Sequence, residues 1–124
     1  MTIAYVCLVV MMFIPLVCAG YAKFSVKGYD NRSPREFLKR VEGAAKRADY
    51  AQMNTFENFP YFAAAVIVAH QLQAPQAVVD TLAMGFVFAR VLYAVFYIVD
   101  QHLLRSLCYV AGFVLTILLF FAGV

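Results

Sequence analysis

The stretch Ile3–Ala22, IAYVCLVVMMFIPLVCAGYA, decides how the rest of the chain must be read. It is free of charge and about as long as a helix must be to cross the hydrocarbon core of a bilayer. Three further apolar runs follow, at about 48–72, 78–99 and 103–124, and the links between the last three are short. Composition agrees: 65% of the 124 residues are hydrophobic and 14% charged, with a mean hydropathy of +0.78. Soluble domains run at roughly half apolar and a quarter charged. A chain this small has little interior in which to hide the excess. These figures exclude a soluble monomer and an intrinsically disordered segment. With three cysteines a disulfide-stapled secreted module is excluded as well. The pattern predicts a single all-α domain over residues 1–124, an integral membrane four-helix bundle in antiparallel up-down order. The alternation of polarity that a β-barrel needs is absent.

The first run is read as a span and not a signal peptide, because no basic residues precede it and its apolar stretch is too long. Pro15 is expected to kink it without breaking it, since neighbouring helices can satisfy the freed carbonyl. Eight of the ten Lys and Arg residues fall between Lys23 and Arg47, while Arg90 and Arg105 stand apart. Asp30, Glu36, Glu42 and Asp49 interleave with the cations, and the cluster lies between two membrane-grade segments, so nucleic acid is not the expected partner. The cluster is a topology signal: it puts the loop at about 23–47 in the cytoplasm and both termini on the opposite side. Within that loop, Ser33, Pro34 and Glu36 spell a helix start with a capping box. A second helix is therefore expected to begin in water at Pro34 and run on into the bilayer, with Gly43 its weakest point.

Polar side chains inside a bilayer are costly, which makes them functional candidates. In the second span Arg47, Tyr50, Asn54, Glu57 and Tyr61 fall within about 80° of one another on a helical wheel. Arg90, Tyr93, Tyr97 and Asp100 repeat the pattern in the third span within about 80°. The fourth span opens with Arg105, Ser106 and Tyr109. Three helices thus present polar faces biased towards the cytoplasmic half. One reading is structural: Glu57 and Arg90 pair to fix helix register while the tyrosines pack. The other is a binding site, and a set rich in Arg, Asn and Tyr suits a small anionic, hydrogen-bonding ligand. A metal is not expected, because His70 and His102 are far apart and no cysteine lies at ligand spacing from them. Cys7, Cys18 and Cys108 read as inert core residues, and His70 as an interfacial one.

The run from Arg47 to Pro60, RADYAQMNTFENFP, resembles the signature of the MAPEG proteins, the membrane-associated proteins in eicosanoid and glutathione metabolism. Its skeleton is an Arg, then Ala-Gln-x-Asn-x-x-Glu, then a Pro. Arg90-x-x-Tyr93-x-x-x-Tyr97 and the Arg105, Ser106, Tyr109 group also look like family positions, and the stretch Asp30–Arg35 resembles the bacterial branch. The resemblance implies a homotrimer of four-helix protomers in a bacterial inner membrane. It implies a glutathione transferase, with possible peroxidase chemistry, that binds glutathione as thiol cosubstrate between adjacent subunits near the cytoplasmic face. Gln52, Asn54, Glu57, Tyr93 and Tyr97 would hold the tripeptide, with Arg47, Arg90 and Tyr109 beside them. Arg105 and Ser106 would face the thiol as it attacks a lipophilic small-molecule substrate. A non-catalytic lipid-binding or partner-presenting protein of the same fold is the alternative. One departure is chain-specific. Catalytic eukaryotic members carry a second Arg four residues before the motif Asn, where this chain has Tyr50, so Arg47 or Lys27 would have to supply that cation.

Overall fold

The charge-free stretch Ile3–Ala22 has only one way to satisfy its backbone away from water, which is to bond within itself as a helix. In the computed structural model, which describes residues 1–124, it forms α1, Ile3–Phe24, continuous through a buried Pro15. Thr2 caps it, accepting the Tyr5 N–H at 3.2 Å. A short α2, Pro34–Arg40, precedes the long α3, Gly43–Gln71, and α4, Gln76–Ile98, and α5, His102–Phe121, complete an all-helical chain. The fold class expected from the sequence is therefore observed as an all-helical membrane protein. α1, α4 and α5 are each long and apolar enough to cross a membrane. α3 is longer still, but it is not among them, because its first half carries Arg47, Asp49, Gln52, Asn54 and Glu57.

The helices run alternately up and down, as contacts at the two ends show. At one end the Thr2 hydroxyl donates to His70 Nε2 at 2.9 Å, and the His70 Nδ1–H donates to the Val66 carbonyl at 2.7 Å. Tyr5 stacks on the same imidazole at 4.0 Å. Asp80 in the first turns of α4 accepts the Ala4 N–H at 2.9 Å, an orphan donor of the α1 N-terminus that needs such a partner. The starts of α1 and α4 and the end of α3 therefore lie together. At the other end the Arg47 Nε–H donates to the Ile98 carbonyl at 3.1 Å, tying the start of α3 to the end of α4.

Small residues let the helices approach. Twelve of the 30 buried residues are alanine, which is how packing replaces the hydrophobic effect between helices in lipid. Ala65 and Ala69 of α3 and Ala83 of α4 are fully covered, and Phe62 and Phe86 stack between α3 and α4 at 4.0 Å. By contrast α5 buries only Gly112, Thr116 and Leu119 and turns the rest of its apolar surface outward.

Two local expectations are corrected. The helix begun at Pro34 does not run on: it ends at Arg40, Val41 and Glu42 are extended, and Gly43 restarts the chain with φ at +61°. Phe37 and Leu38 instead turn back to pack with Ala22, Ala45 and Ala48, and the Lys46 ammonium clips the Leu38 carbonyl at 2.8 Å. Nor does the capping box close, because Ser33 makes no side-chain cap and Glu36 bonds Lys39 at 3.1 Å. Gly43 is the residue this geometry requires, since an L side chain in the left-handed region costs about 1–2 kcal/mol. Thermal unfolding in detergent should therefore show Gly43→Ala destabilised by about that amount. Gly20→Ala, in open space on α1, should gain a few tenths to about 1 kcal/mol from helix propensity.

Candidate functional site

The period of the polar stripes brings α3, α4 and α5 together as expected, though not with every residue in the expected place. Tyr93, 5% exposed, and Tyr97 sit edge to face on α4 with ring centres 5.6 Å apart. On one side of them lies a cavity of about 280 Å³ lined by Tyr50, Met53, Asn54, Glu57, Tyr93 and Tyr97. On the other lies one of about 270 Å³ lined by Tyr93, Tyr97, Arg105, Ser106, Tyr109 and Val110. The two share Tyr93 and Tyr97, which form the wall between them. The Arg105 guanidinium rests 4.3 Å above the Tyr97 ring, and Tyr109 lies 6.3 Å from Tyr93. One flank thus offers an amide and a carboxylate, the other a cation and two hydroxyls.

Five of the expected polar residues lie elsewhere. Arg47 lines neither cavity, because its Nε–H is held by the Ile98 carbonyl. Gln52 donates to Asp49 Oδ1 at 3.1 Å and lines a third cavity of about 540 Å³, with Lys23, Arg35, Lys39, Met53 and Phe56 among its walls. Met53 is common to this cavity and to the one containing Asn54. Asp100 falls beyond α4, in the turn to α5, with φ at +64°. Tyr61 points away from the bundle and is 66% exposed. The structural pairing of Glu57 with Arg90 does not form. Arg90 is 1% exposed and lines neither cavity; its Nη2 group donates to Asn54 Oδ1 and to Thr55 Oγ1, both at 2.9 Å, while Glu57 remains open to the cavity. The Arg90 guanidinium also covers the Tyr93 ring at 4.1 Å.

The sequence matches the MAPEG family over residues 1–124. The chain belongs to the MAPEG family. No curated protein and no solved structure gives a match beside it. MAPEG proteins are membrane proteins of glutathione-related metabolism; of the residues that carried the resemblance in this MAPEG chain, the two cavities hold Asn54, Glu57, Tyr93, Tyr97, Arg105, Ser106 and Tyr109, but not Arg47, Gln52 or Arg90. Its own departure at Tyr50 is not made good by the two cations expected to replace the missing Arg. Arg47 is held elsewhere, and Lys27 lines a separate cleft with Val26, Phe37 and Arg40. The cation that stands over Tyr50 is Lys46, 5.3 Å from the ring.

Sequence reasoning overlooked Thr55, whose hydroxyl donates to the Ala51 carbonyl at 2.8 Å and accepts from Arg90. Its signal was a threonine in mid-span beside Asn54, one step off the polar stripe. It also overlooked Lys46 over Tyr50. The Tyr97 ring holds Arg105 by a cation–π contact, worth about 0.5–2 kcal/mol. Tyr97→Leu should therefore lower thermal stability modestly and speed modification of Arg105 by phenylglyoxal, read by mass spectrometry of the α5 peptide.

Proposed function

We propose that the protein is a membrane-bound glutathione transferase with peroxidase-like capacity, activating a thiol near the cytoplasmic face for attack on lipophilic electrophiles. The observation that carries the reading is the pair of cavities that meet at Tyr93 and Tyr97, with Asn54 and Glu57 on one side and Arg105, Ser106 and Tyr109 on the other. Each cavity is near the lower end of the ~300 Å³ range for ligand sites, and side by side they suit an extended tripeptide. The donor set fits as well. A carboxylate at Glu57 complements an ammonium, and the hydroxyls and the Asn54 amide complement peptide groups. The cation at Arg105 complements a thiolate.

Arg105 does the chemical work in this reading. A free thiol has a pKa near 8.5, and an adjacent guanidinium favours the thiolate, which is the nucleophile. Ser106 and Tyr109 donate to the sulfur or to charge developing on the electrophile. The outward apolar face of α5 gives a substrate dissolved in the bilayer a route to that sulfur. The basic loop argues for a cytoplasmic site with both termini opposite, and α3 acts as the fourth span in a single domain. A homotrimer follows from the family reading. It would also cover Glu57 and Tyr61, which the protomer leaves exposed on α3, and could bring the cations around Gln52 to a neighbour's site. Tyr50, in place of an Arg, favours the second reading, a lipid-binding protein without catalysis.

Titrating the purified protein with glutathione while following the ultraviolet thiolate band tests the proposal. Wild type should show a saturable thiolate signal. Arg105→Ala should lose it, with turnover down about 100-fold, or about 2.7 kcal/mol. Absence of glutathione binding in the wild type, with lipid recovered from the preparation, would favour the second reading instead.

A further inference from the structure

An amide side chain has a donor end and an acceptor end, and which one faces a cavity decides what the cavity binds. Arginine only donates, so the Asn54 atom 2.9 Å from Arg90 Nη2 is the carbonyl oxygen. The same oxygen accepts a second bond from Asn58 Nδ2 at 3.2 Å, which uses both of its lone pairs. The Arg90 Nε–H is buried without a partner, but it belongs to a side chain that lines neither cavity. The two Nη2 protons go to Asn54 and Thr55, and the Thr55 proton goes to the Ala51 carbonyl. On the cavity side what remains free is the Nδ2 amide of Asn54, a residue that lines the cavity with Glu57 and Tyr93. Arg90 itself cannot reach a ligand there, being 1% exposed and outside both cavities.

We infer that Arg90 is a positioning residue, locking Asn54 with its two N–H donors towards the cavity so that the site takes an oxygen acceptor, a carbonyl or carboxylate, at that point. The identity of the ligand rests on the thiol-binding reading above; the lock does not. The covalent path of the chain supports the lock from both sides. Thr55 and Asn54 are successive residues, so one nitrogen of Arg90 holds the α3 backbone through the Thr55 hydroxyl and the side chain through Asn54. The Tyr93 ring below the guanidinium limits its freedom to swing away. Without Arg90 the Asn54 amide could turn over and present its oxygen, which repels the acceptor it would otherwise bind.

The test combines ligand affinity with a signal from the amide itself. Arg90→Met should weaken glutathione binding about tenfold, the scale of one oriented hydrogen bond. On an Asn54→Ala background the same substitution should cost nothing further, because the donor it orients is already gone. Arg90→Lys, which keeps a donor and the charge, should recover most of the affinity. The chain has three asparagines, Asn31, Asn54 and Asn58, so asparagine labelled with nitrogen-15 gives a sparse spectrum in detergent. In wild type the two Asn54 amide protons should be well separated, because their carbonyl oxygen is held by a guanidinium. In Arg90→Met they should move to the position of an exposed amide while Asn31 stays. Equal losses of affinity on both backgrounds, or Asn54 amide signals that Arg90→Met leaves in place, would overturn the inference. If wild type binds no glutathione, the transferase reading fails and the amide signals still decide the lock.

Discussion

Placing a guanidinium in an apolar bundle costs several kcal/mol unless its charge and protons are met. Arg90 meets that cost with a single nitrogen shared between Asn54 and Thr55 and with the face of Tyr93. The contact fixes the rotation of α3 against α4, and much of the polar architecture follows from that rotation. Once Asn54 faces α4, the helical period carries Tyr50 and Glu57 to the same cavity, while Tyr93 and Tyr97 face it from the other side. α5 then packs with Gly112 against Phe86 and Arg90, where a Cβ would stand in ordinary contact, 3.5 Å from Phe86 and 3.9 Å from the Arg90 side chain. That packing brings Arg105, Ser106 and Tyr109 to the far side of the two tyrosines. The Arg90 Nε–H remains buried without a partner, a polar defect beside the two bonds that Nη2 makes.

Much of this was legible in the sequence because bilayers impose length and polarity so strictly. Ile3–Ala22 could be nothing but a helix once read as membrane-borne, and the polar faces of the second and third spans stood out at the helical period. The failures have physical causes. Opposite charges at matching angles invite the structural reading in which Arg90 pairs with Glu57, but angle carries no height along the helix axis. The partner turned out to be two neutral groups a turn closer to the N-terminus of α3. Arg47 bonds the Ile98 carbonyl, and a backbone acceptor leaves no mark in a sequence. The break at Val41 and Glu42 was half visible, since Gly43 was the weak point. What was hidden is that Phe37 and Leu38 find a better burial against Ala22 and Ala45 than a straight helix would allow.

The chain also shows how a motif can persist while its electrostatics shift. With Tyr50 where a second Arg is expected, positive charge near the Asn54 cavity comes from Lys46 above Tyr50. More comes from Lys23, Arg35 and Lys39 on the far side of Met53. Lys46 already serves the Leu38 carbonyl and lies 3.9 Å from Asp49, so it holds α2 against α3 as well as facing the ring. Lysine is a compact, hydrated charge on a flexible stem and does not clamp a carboxylate as a guanidinium fork does. On the proposed reading, the anionic ends of a ligand would therefore be held loosely and its centre firmly, between the two tyrosines and Asn54.

The central claim is that the cavities on either side of Tyr93 and Tyr97 form one site for a thiol tripeptide with its sulfur beside Arg105. The most direct measurement is an experimental structure of the protein in lipid nanodiscs with glutathione present. The account predicts one continuous ligand density crossing the two tyrosines, with its sulfur against Arg105 and an oxygen on Asn54. Density of an acyl chain alone in these cavities, or glutathione bound elsewhere on the protein, would contradict it.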